Sequence, residues 1–248
     1  MATRARNALL SAESISLVVP CFNEAHRLGL TFDGARAVAA CAPELVEVLV
    51  VDDGSSDGTA ALARELGQGL PLRVIERPHR GKGAAVAAGV LEARGELVFM
   101  ADADWSMPPE QILRFTEAVR AGAEVAIGSR ELDTSRRFEE PLRRHLVGRA
   151  FNGLVRGALL PGLNDTQCGF KMFRREAGRA LFASLNTPGW AFDVEILVRA
   201  RQSGLHIAEV PIDWRFQADS RVQVGSDSAR MALDIARTWW RVKRSRFG

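Results

Sequence analysis

No apolar stretch in this chain reaches the roughly 18 residues that a membrane-spanning helix needs, so the sequence predicts no transmembrane segment. Cysteine is scarce. Cys21, Cys41 and Cys168 lie far apart, no pair has zinc-ligand spacing, and an odd count suits a reducing compartment. The apolar part of the first ten residues is too short for a secretory signal. The P-loop spacing Gly-x-x-x-x-Gly-Lys-Ser/Thr is absent, as are internal repeats and low-complexity segments. A net charge of +3 is too mild to argue for nucleic acid. These absences predict a cytoplasmic protein, or one held peripherally on the cytosolic face of a membrane.

What is present points to an α/β domain. At 248 residues and 47% hydrophobic, the chain is long enough for one large core with an appendage. Apolar, β-branched runs at 15–20, 46–51, 72–76, 97–100 and 124–128 read as strands. Helical patterns at 24–41, up to about 66, 83–94 and after Pro108-Pro109 alternate with them through short links. That alternation predicts a mostly parallel sheet sandwiched by helices. Further on, 191–201 reads as a helix, 207–212 as a strand and 226–244 as a terminal helix. Residues 130–149 change character, with six arginines, four acids and a loop-to-helix transition expected near Pro141.

The chemistry gathers at predicted strand ends. The run Leu97-Val-Phe-Met-Ala-Asp102-Ala103-Asp104 delivers two carboxylates on one face, where open α/β sheets bind ligands. Such a pair repels itself unless a cation intervenes, and Mg²⁺ or Mn²⁺ takes carboxylates together with substrate phosphates. The alternative is a solvated strand-end turn. Asp52-Asp53-Gly54-Ser55 has two acids where one would cap a helix, which favours a nucleotide contact for one of them. Lys82, between Gly81 and Gly83, stands at a helix start suited to phosphate, or else faces solvent. Arg130 ends a strand on the same sheet edge, and Arg143, Arg144 and Arg149 follow, where arginine forks suit phosphate. Asp193 and Glu195, in Trp190-Ala-Phe-Asp-Val-Glu195, serve either a helix first turn or a sugar. The terminal segment carries Arg230, Arg237, Arg241 and Arg244 largely opposite a face of Met231, Ile235, Trp239 and Val242. It reads as an interfacial membrane helix, with docking on the domain or on a second copy of the chain as the alternatives.

These segments, in this order, resemble the inverting glycosyltransferases with the Rossmann-like GT-A fold. Within them the chain is similar to polyprenyl- and dolichyl-phosphate hexosyltransferases, the glucosyl branch above all. The resemblance rests on Val19-Pro-Cys-Phe-Asn-Glu24, Val51-Asp-Asp-Gly-Ser-Ser-Asp-Gly58, Gly81-Lys-Gly83, Asp102-Ala-Asp104, Gly128-Ser-Arg130, Asp165-Thr-Gln-Cys-Gly-Phe-Lys171, Trp190-Ala-Phe-Asp-Val-Glu195 and Glu209-Val-Pro-Ile212. It implies a glycosyltransferase domain over 1–222 and a basic helix over 223–248. By position, Pro20, Asn23 and Glu24 would line the nucleotide pocket and Asp52 or Asp53 would contact uracil or ribose. Lys82 would lie near the nucleotide, and Asp102, Ala103 and Asp104 would hold metal and diphosphate. Arg130 and Arg144 would grip an acceptor phosphate, with Gln167 and Asp193 near the sugar and Ser220-Arg221-Val222 closing over the site. Trp105 and Ser106 depart from the family pattern. Trp105 is expected to narrow the acceptor entry, and Ser106 replaces a glutamine that some relatives place on the metal.

The implied reaction is inverting transfer of a hexose, glucose from UDP-glucose, to a polyprenyl phosphate. Mannose from GDP-mannose, a saccharide acceptor with Asp193 as base, and a nucleotide-sugar-binding scaffold without transfer are the alternatives. A sugar-nucleotide pyrophosphorylase is disfavoured, because Pro20-Cys-Phe-Asn-Glu24 is not a Gly-rich, Arg-containing loop.

Overall fold

Nearly every expected strand forms, because each is a short apolar run bounded by turn residues. A computed structural model of the chain describes residues 13–139, 141, 148–149, 152–153, 155–217, 233–238 and 240. The strands in chain order are β1 (Ile15–Cys21), β2 (Leu45–Asp52), β3 (Leu72–Glu76), β4 (Leu97–Met100), β5 (Val125–Ser129), β6 (Arg136–Phe138), β7 (Lys171–Arg174), β8 (Ile207–Pro211) and β9 (Asp213–Arg215). The helices are α1 (Leu28–Cys41), α2 (Thr59–Leu66), α3 (Lys82–Glu92), α4 (Ile112–Arg120), α5 (Arg175–Phe182) and α6 (Phe192–Gln202). Three elements escape the sequence reading: the three-residue strands β6 and β9, and α5, which follows β7 without a break.

Seven strands make one sheet in the order β3-β2-β1-β4-β7-β5-β8. All pairings are parallel except those of β7, which runs antiparallel to β4 and to β5. The N-terminal end of β7 therefore lies at the edge where β1, β2, β4 and β5 end. Lys171 is registered with Met100 and with Ile127. The loop before β7 is thereby delivered beside the two aspartates that follow β4.

The period of two along β1 sorts its side chains onto opposite faces. Leu17 and Val19 pack with Phe32 and Val38 of α1 and with Ile112 and Phe115 of α4. Val18 packs with Val86 and Val90 of α3 and Ile196 of α6. Burying one such side chain fully stabilises the fold by about 1.5–3 kcal/mol. Phe99 is fully buried, edge-on to Phe115 at 5.2 Å and stacked with Phe170 at 6.4 Å. It ties β4, α4 and the loop before β7 together.

The strands β6 and β9 form a separate parallel pair, with Arg137 opposite Trp214. The segment after β5 is thus a strand at 136–138 before Pro141. Arg143, Arg144 and residues 218–232 lie outside the described residues. Residues 233–238 and 240 are helical, and the rest of the terminal helix expected over 226–244 lies outside the described residues. Ile235 packs against the second core, whereas Leu233 and Trp240 are 59% and 60% exposed.

Phe99→Ala should lower the unfolding free energy by about 3–5 kcal/mol in urea denaturation. Leu113→Ala, on the exposed side of α4, should change it by no more than about 0.5 kcal/mol. Equal losses for the two would contradict this packing.

Candidate active site

The loops after β1 and β2 are stitched together side by side. The Asn23 amide donates to Ser55 Oγ at 2.7 Å, and the Ser56 amide donates to Asn23 Oδ1 at 2.8 Å. Asn23 adopts φ +53°, a left-handed conformation that asparagine tolerates better than most residues. The Glu24 amide donates to Thr59 Oγ1, and the Glu24 carboxylate pairs with Arg27 at 2.7 Å. Asp52, buried, accepts from the amide and hydroxyl of Ser55. Asp53, also buried, accepts from the amides of Arg80 and Gly81 at 3.2 and 2.7 Å and meets His79 Nδ1 at 2.9 Å. Its carboxylate thus fixes the approach to α3. Gly81, at φ +109°, passes so close to the Pro188 carbonyl that a Cβ there would lie 2.7 Å from it.

The turn after β4 is clamped onto α1. Thr31 Oγ1 donates to the Ala103 carbonyl at 2.8 Å, and the Trp105 indole N–H donates to the Thr31 carbonyl at 3.0 Å. Trp105 is held at φ +44°, a conformation costing a bulky residue on the order of 1–3 kcal/mol. Its ring lies over Gly34, where any added Cβ would fall 2.3 Å from the indole. The indole is therefore packed against α1. Ala103 is buried against the same helix. Asp104 Oδ1 accepts from the Ser106 amide and hydroxyl at 3.1 and 2.7 Å. Burial pushes the Asp104 carboxyl up, and the neighbouring charge of Asp102 pushes it further.

A ladder of alternating charge leads away from this turn. Lys82 Nζ lies 2.6 Å from Asp102 Oδ1 and 5.1 Å from the centre of the Trp190 ring. Lys171 is buried and pairs with Asp193 Oδ1 at 2.5 Å, while also donating to the Cys168 carbonyl. Burial opposes the charge on Lys82, but Asp102 and Asp193 hold its ammonium above the ordinary lysine range. Burial likewise raises the Asp193 carboxyl against the pull of Lys171 and Lys82. Two ammonium groups face three carboxylates, which leaves the cluster one positive charge short of neutral. Gly169 makes room for the ladder, since a Cβ there would sit 1.9 Å from Asp102 Oδ2. Burial pushes the neighbouring Cys168 thiol up to about 12, so this cysteine is no nucleophile.

At the end of β5, Arg130 is held in a fork. Its Nε and Nη2 donate to the two oxygens of Asp165 at 2.7 and 3.0 Å, and its guanidinium lies 5.4 Å from the Trp214 ring. Asp165 is fixed in turn by its own amide, which donates to Glu209 at 3.0 Å. Burial works against the Asp165 charge, yet Arg130 and the amides of Gln167 and Arg130 hold its carboxyl down at about 2. Gln167 Nε2 is buried and has no hydrogen-bond partner among the described residues, which leaves it a donor for a ligand.

Of the residues expected here, Pro20, Asn23, Glu24, Asp52, Asp53, Lys82, Asp102, Ala103, Asp104, Arg130, Gln167 and Asp193 all lie on or beside this one sheet edge. Asp53 and Ala103 are turned to structural partners. Arg144 lies outside the described residues. Sequence reasoning missed Gly169, Lys171 and Asp165 as residues that position the others. Their signal was the motif Asp165-Thr-Gln-Cys-Gly-Phe-Lys171 itself, which no periodicity explains.

The two carboxylates fit a divalent cation. Asp102 and Asp104 crowd one another, and among the described residues no third His, Cys, Asp or Glu joins them to complete a metal cage. Such a sparse set suits Mg²⁺ or Mn²⁺, which completes its shell with water and phosphate oxygens.

Gly169→Ala should leave the melting temperature within a few degrees and displace the Asp102 carboxylate, lowering turnover at least about ten-fold. Unchanged turnover would show that the carboxylate can give way. The depressed Asp165 carboxyl contributes stability above its unfolded value of 3.8 that is lost as pH falls to about 2. In urea denaturation, the stability gap between wild type and Asp165→Asn should therefore shrink by about 2 kcal/mol across that interval. A gap constant with pH would contradict the pairing.

A family model described as Glycosyl transferase family 2 matches residues 16–182. Dolichyl-phosphate beta-glucosyltransferase ALG5C of Trichomonas vaginalis is 35% identical over 233 residues, covering 89% of this chain and 69% of the relative. The human dolichyl-phosphate beta-glucosyltransferase is 33% identical over 257 residues, covering 94% and 79%. In fold, the chain is similar to glucosyl-3-phosphoglycerate synthase from Mycobacterium tuberculosis, solved with Mn²⁺, UDP and glucosyl-3-phosphoglycerate. That match has a TM-score of 0.68 at 21% identity and covers 93% of this chain and 80% of that one. With a sheet edge that gathers two carboxylates, a helix-start lysine and a strand-end arginine, and a family model spanning most of the chain, this protein belongs to glycosyl transferase family 2.

Proposed function

We propose that the protein transfers glucose from UDP-glucose to a polyprenyl or dolichyl phosphate, with inversion at the anomeric carbon. The observation that carries this reading is the separation of charge along one sheet edge: Asp102, Asp104 and Lys82 on one side, Arg130 on the other. The sugar and the acceptor class follow from the names of the relatives, and UDP-glucose is bound in a solved structure of similar fold.

Asp102 and Asp104 would hold Mg²⁺ or Mn²⁺, which when bound neutralises charge on the leaving diphosphate. The loops of Asn23 and Asp52 form the nucleotide pocket, and Lys82 faces the diphosphate. Gln167 Nε2 donates to a sugar hydroxyl. Arg130, oriented by Asp165, receives the acceptor phosphate, with Arg144 as its expected second clamp. A phosphate oxygen is already anionic near neutral pH, so attack needs orientation more than a general base. The engagement of Asp193 by Lys171 supports this reading over a saccharide acceptor deprotonated by Asp193. No described helix is long and apolar enough to cross a membrane. The exposed Trp240 and the arginines around it support peripheral contact with the cytosolic face.

Labelled UDP-glucose with Mn²⁺ and polyprenyl phosphate in vesicles should give lipid-extractable label that chelator abolishes. Label recovered in a water-soluble saccharide or in glucosyl-3-phosphoglycerate would overturn the acceptor, and label from GDP-mannose alone would overturn the donor. Asp102→Ala and Asp104→Ala should each cost at least about a hundred-fold in turnover. Full activity of the double variant in chelator would refute the site. Arg130→Lys should raise the acceptor KM about ten-fold while the donor KM stays within about two-fold. Equal losses would deny Arg130 its acceptor role.

A further inference from the structure

The ammonium of Lys82 occupies a place that a divalent cation needs. Asp102 Oδ1 is fully buried and meets Lys82 Nζ at 2.6 Å, with no other hydrogen-bond partner among the described residues. Asp102 Oδ2 faces Gly169, too closely for even a Cβ to fit between. Once the carboxylate is set in this way, two cations cannot share Oδ1 at contact distance without strong mutual repulsion. The lysine is not a stray surface charge. Its position is built by three independent elements: Asp53 holding the amides of Arg80 and Gly81, the Pro188 carbonyl accepting from the Ala84 amide, and the Trp190 ring beside the ammonium. It is the first residue of α3, so its side chain starts beside unsatisfied helix amides that favour an anion.

We infer that Lys82 is an internal counter-cation that couples donor binding to metal binding. In the donor-free protein its ammonium neutralises Asp102 and keeps a divalent cation from that oxygen. A nucleoside diphosphate arriving at the start of α3 offers the ammonium a second anion. When Lys82 turns to the diphosphate, Asp102 Oδ1 is released. Donor and divalent cation then bind cooperatively, and by linkage each raises the affinity of the other by the same factor. The inference rests on the donor class assigned above, and it adds an order of events: the carboxylate pair is closed to metal until the donor is present.

The test is titration of Mn²⁺ followed by its free-ion electron paramagnetic resonance signal, with and without UDP. Wild type should bind Mn²⁺ weakly alone and at least about ten-fold more tightly with UDP. Lys82→Met and Lys82→Gln should bind Mn²⁺ alone about ten-fold more tightly than wild type, and the gain from UDP should largely vanish. Arg80→Gln, which removes a nearby exposed charge, is the control for background electrostatics. Donor-free Mn²⁺ affinity that is unchanged in both Lys82 variants would overturn the proposal, as would equal tightening in Arg80→Gln. Circular dichroism establishes that the variants are folded, and having two Lys82 variants guards against one of them failing to fold. If wild type with UDP binds no Mn²⁺, the donor or metal assignment fails instead. The donor-free comparison of wild type with the Lys82 variants still judges the lysine by itself.

Discussion

The ion pair between Lys82 and Asp102 joins two loops that are far apart in sequence and binds them at the centre of a sheet edge. Neither charge would be tolerated there alone, because a desolvated ion without a partner costs several kcal/mol. Each partner therefore has to be delivered accurately, and much of the surrounding architecture does that. Asp53 grips the loop that leads into α3. Thr31 and Trp105 pin the turn after β4 to α1. Lys171 and Asp193 continue the alternation of charge into the core. Removing one member leaves a neighbour unbalanced, which makes the ladder a unit rather than a set of contacts.

A second unit, Arg130 with Asp165 and Glu209, is built on the same logic but along the other half of the edge. There a carboxylate orients a guanidinium that a flanking indole also contacts. The two units differ in which sign leads: carboxylates crowd the turn after β4, whereas at the end of β5 a guanidinium is presented on a carboxylate fork.

Strands and most helices were legible because each is a short apolar run with turn residues at its ends, and strand-end aspartates announce themselves by ending such a run. The charge partners of those aspartates were not legible. Lys171 is the first residue of β7, and nothing local says that Asp193 waits beside it. The short strands β6 and β9 carry no periodicity of their own and form through pairing with each other. Gly169 reads as a turn residue, and only the approach of Asp102 shows why a side chain is excluded there. Trp105 stood out as an aromatic where a small residue was expected. Its partner Gly34 lies on a different element, so the reason for it is tertiary.

The antiparallel course of β7 has a consequence for how the chain is made. During synthesis, β1 to β4 emerge first, and β4 has β1 on one side only until residues 171–174 arrive. A nascent chain adds roughly 5–20 residues each second, so an apolar strand with an open edge persists for seconds on the ribosome. Gly169, which leaves room for the Asp102 carboxylate, and Lys171 arrive with the same segment. Asp193 and the edge strand β8 follow later still, so a nascent chain halted before β7 would present an open β4 edge beside an unfinished charge ladder.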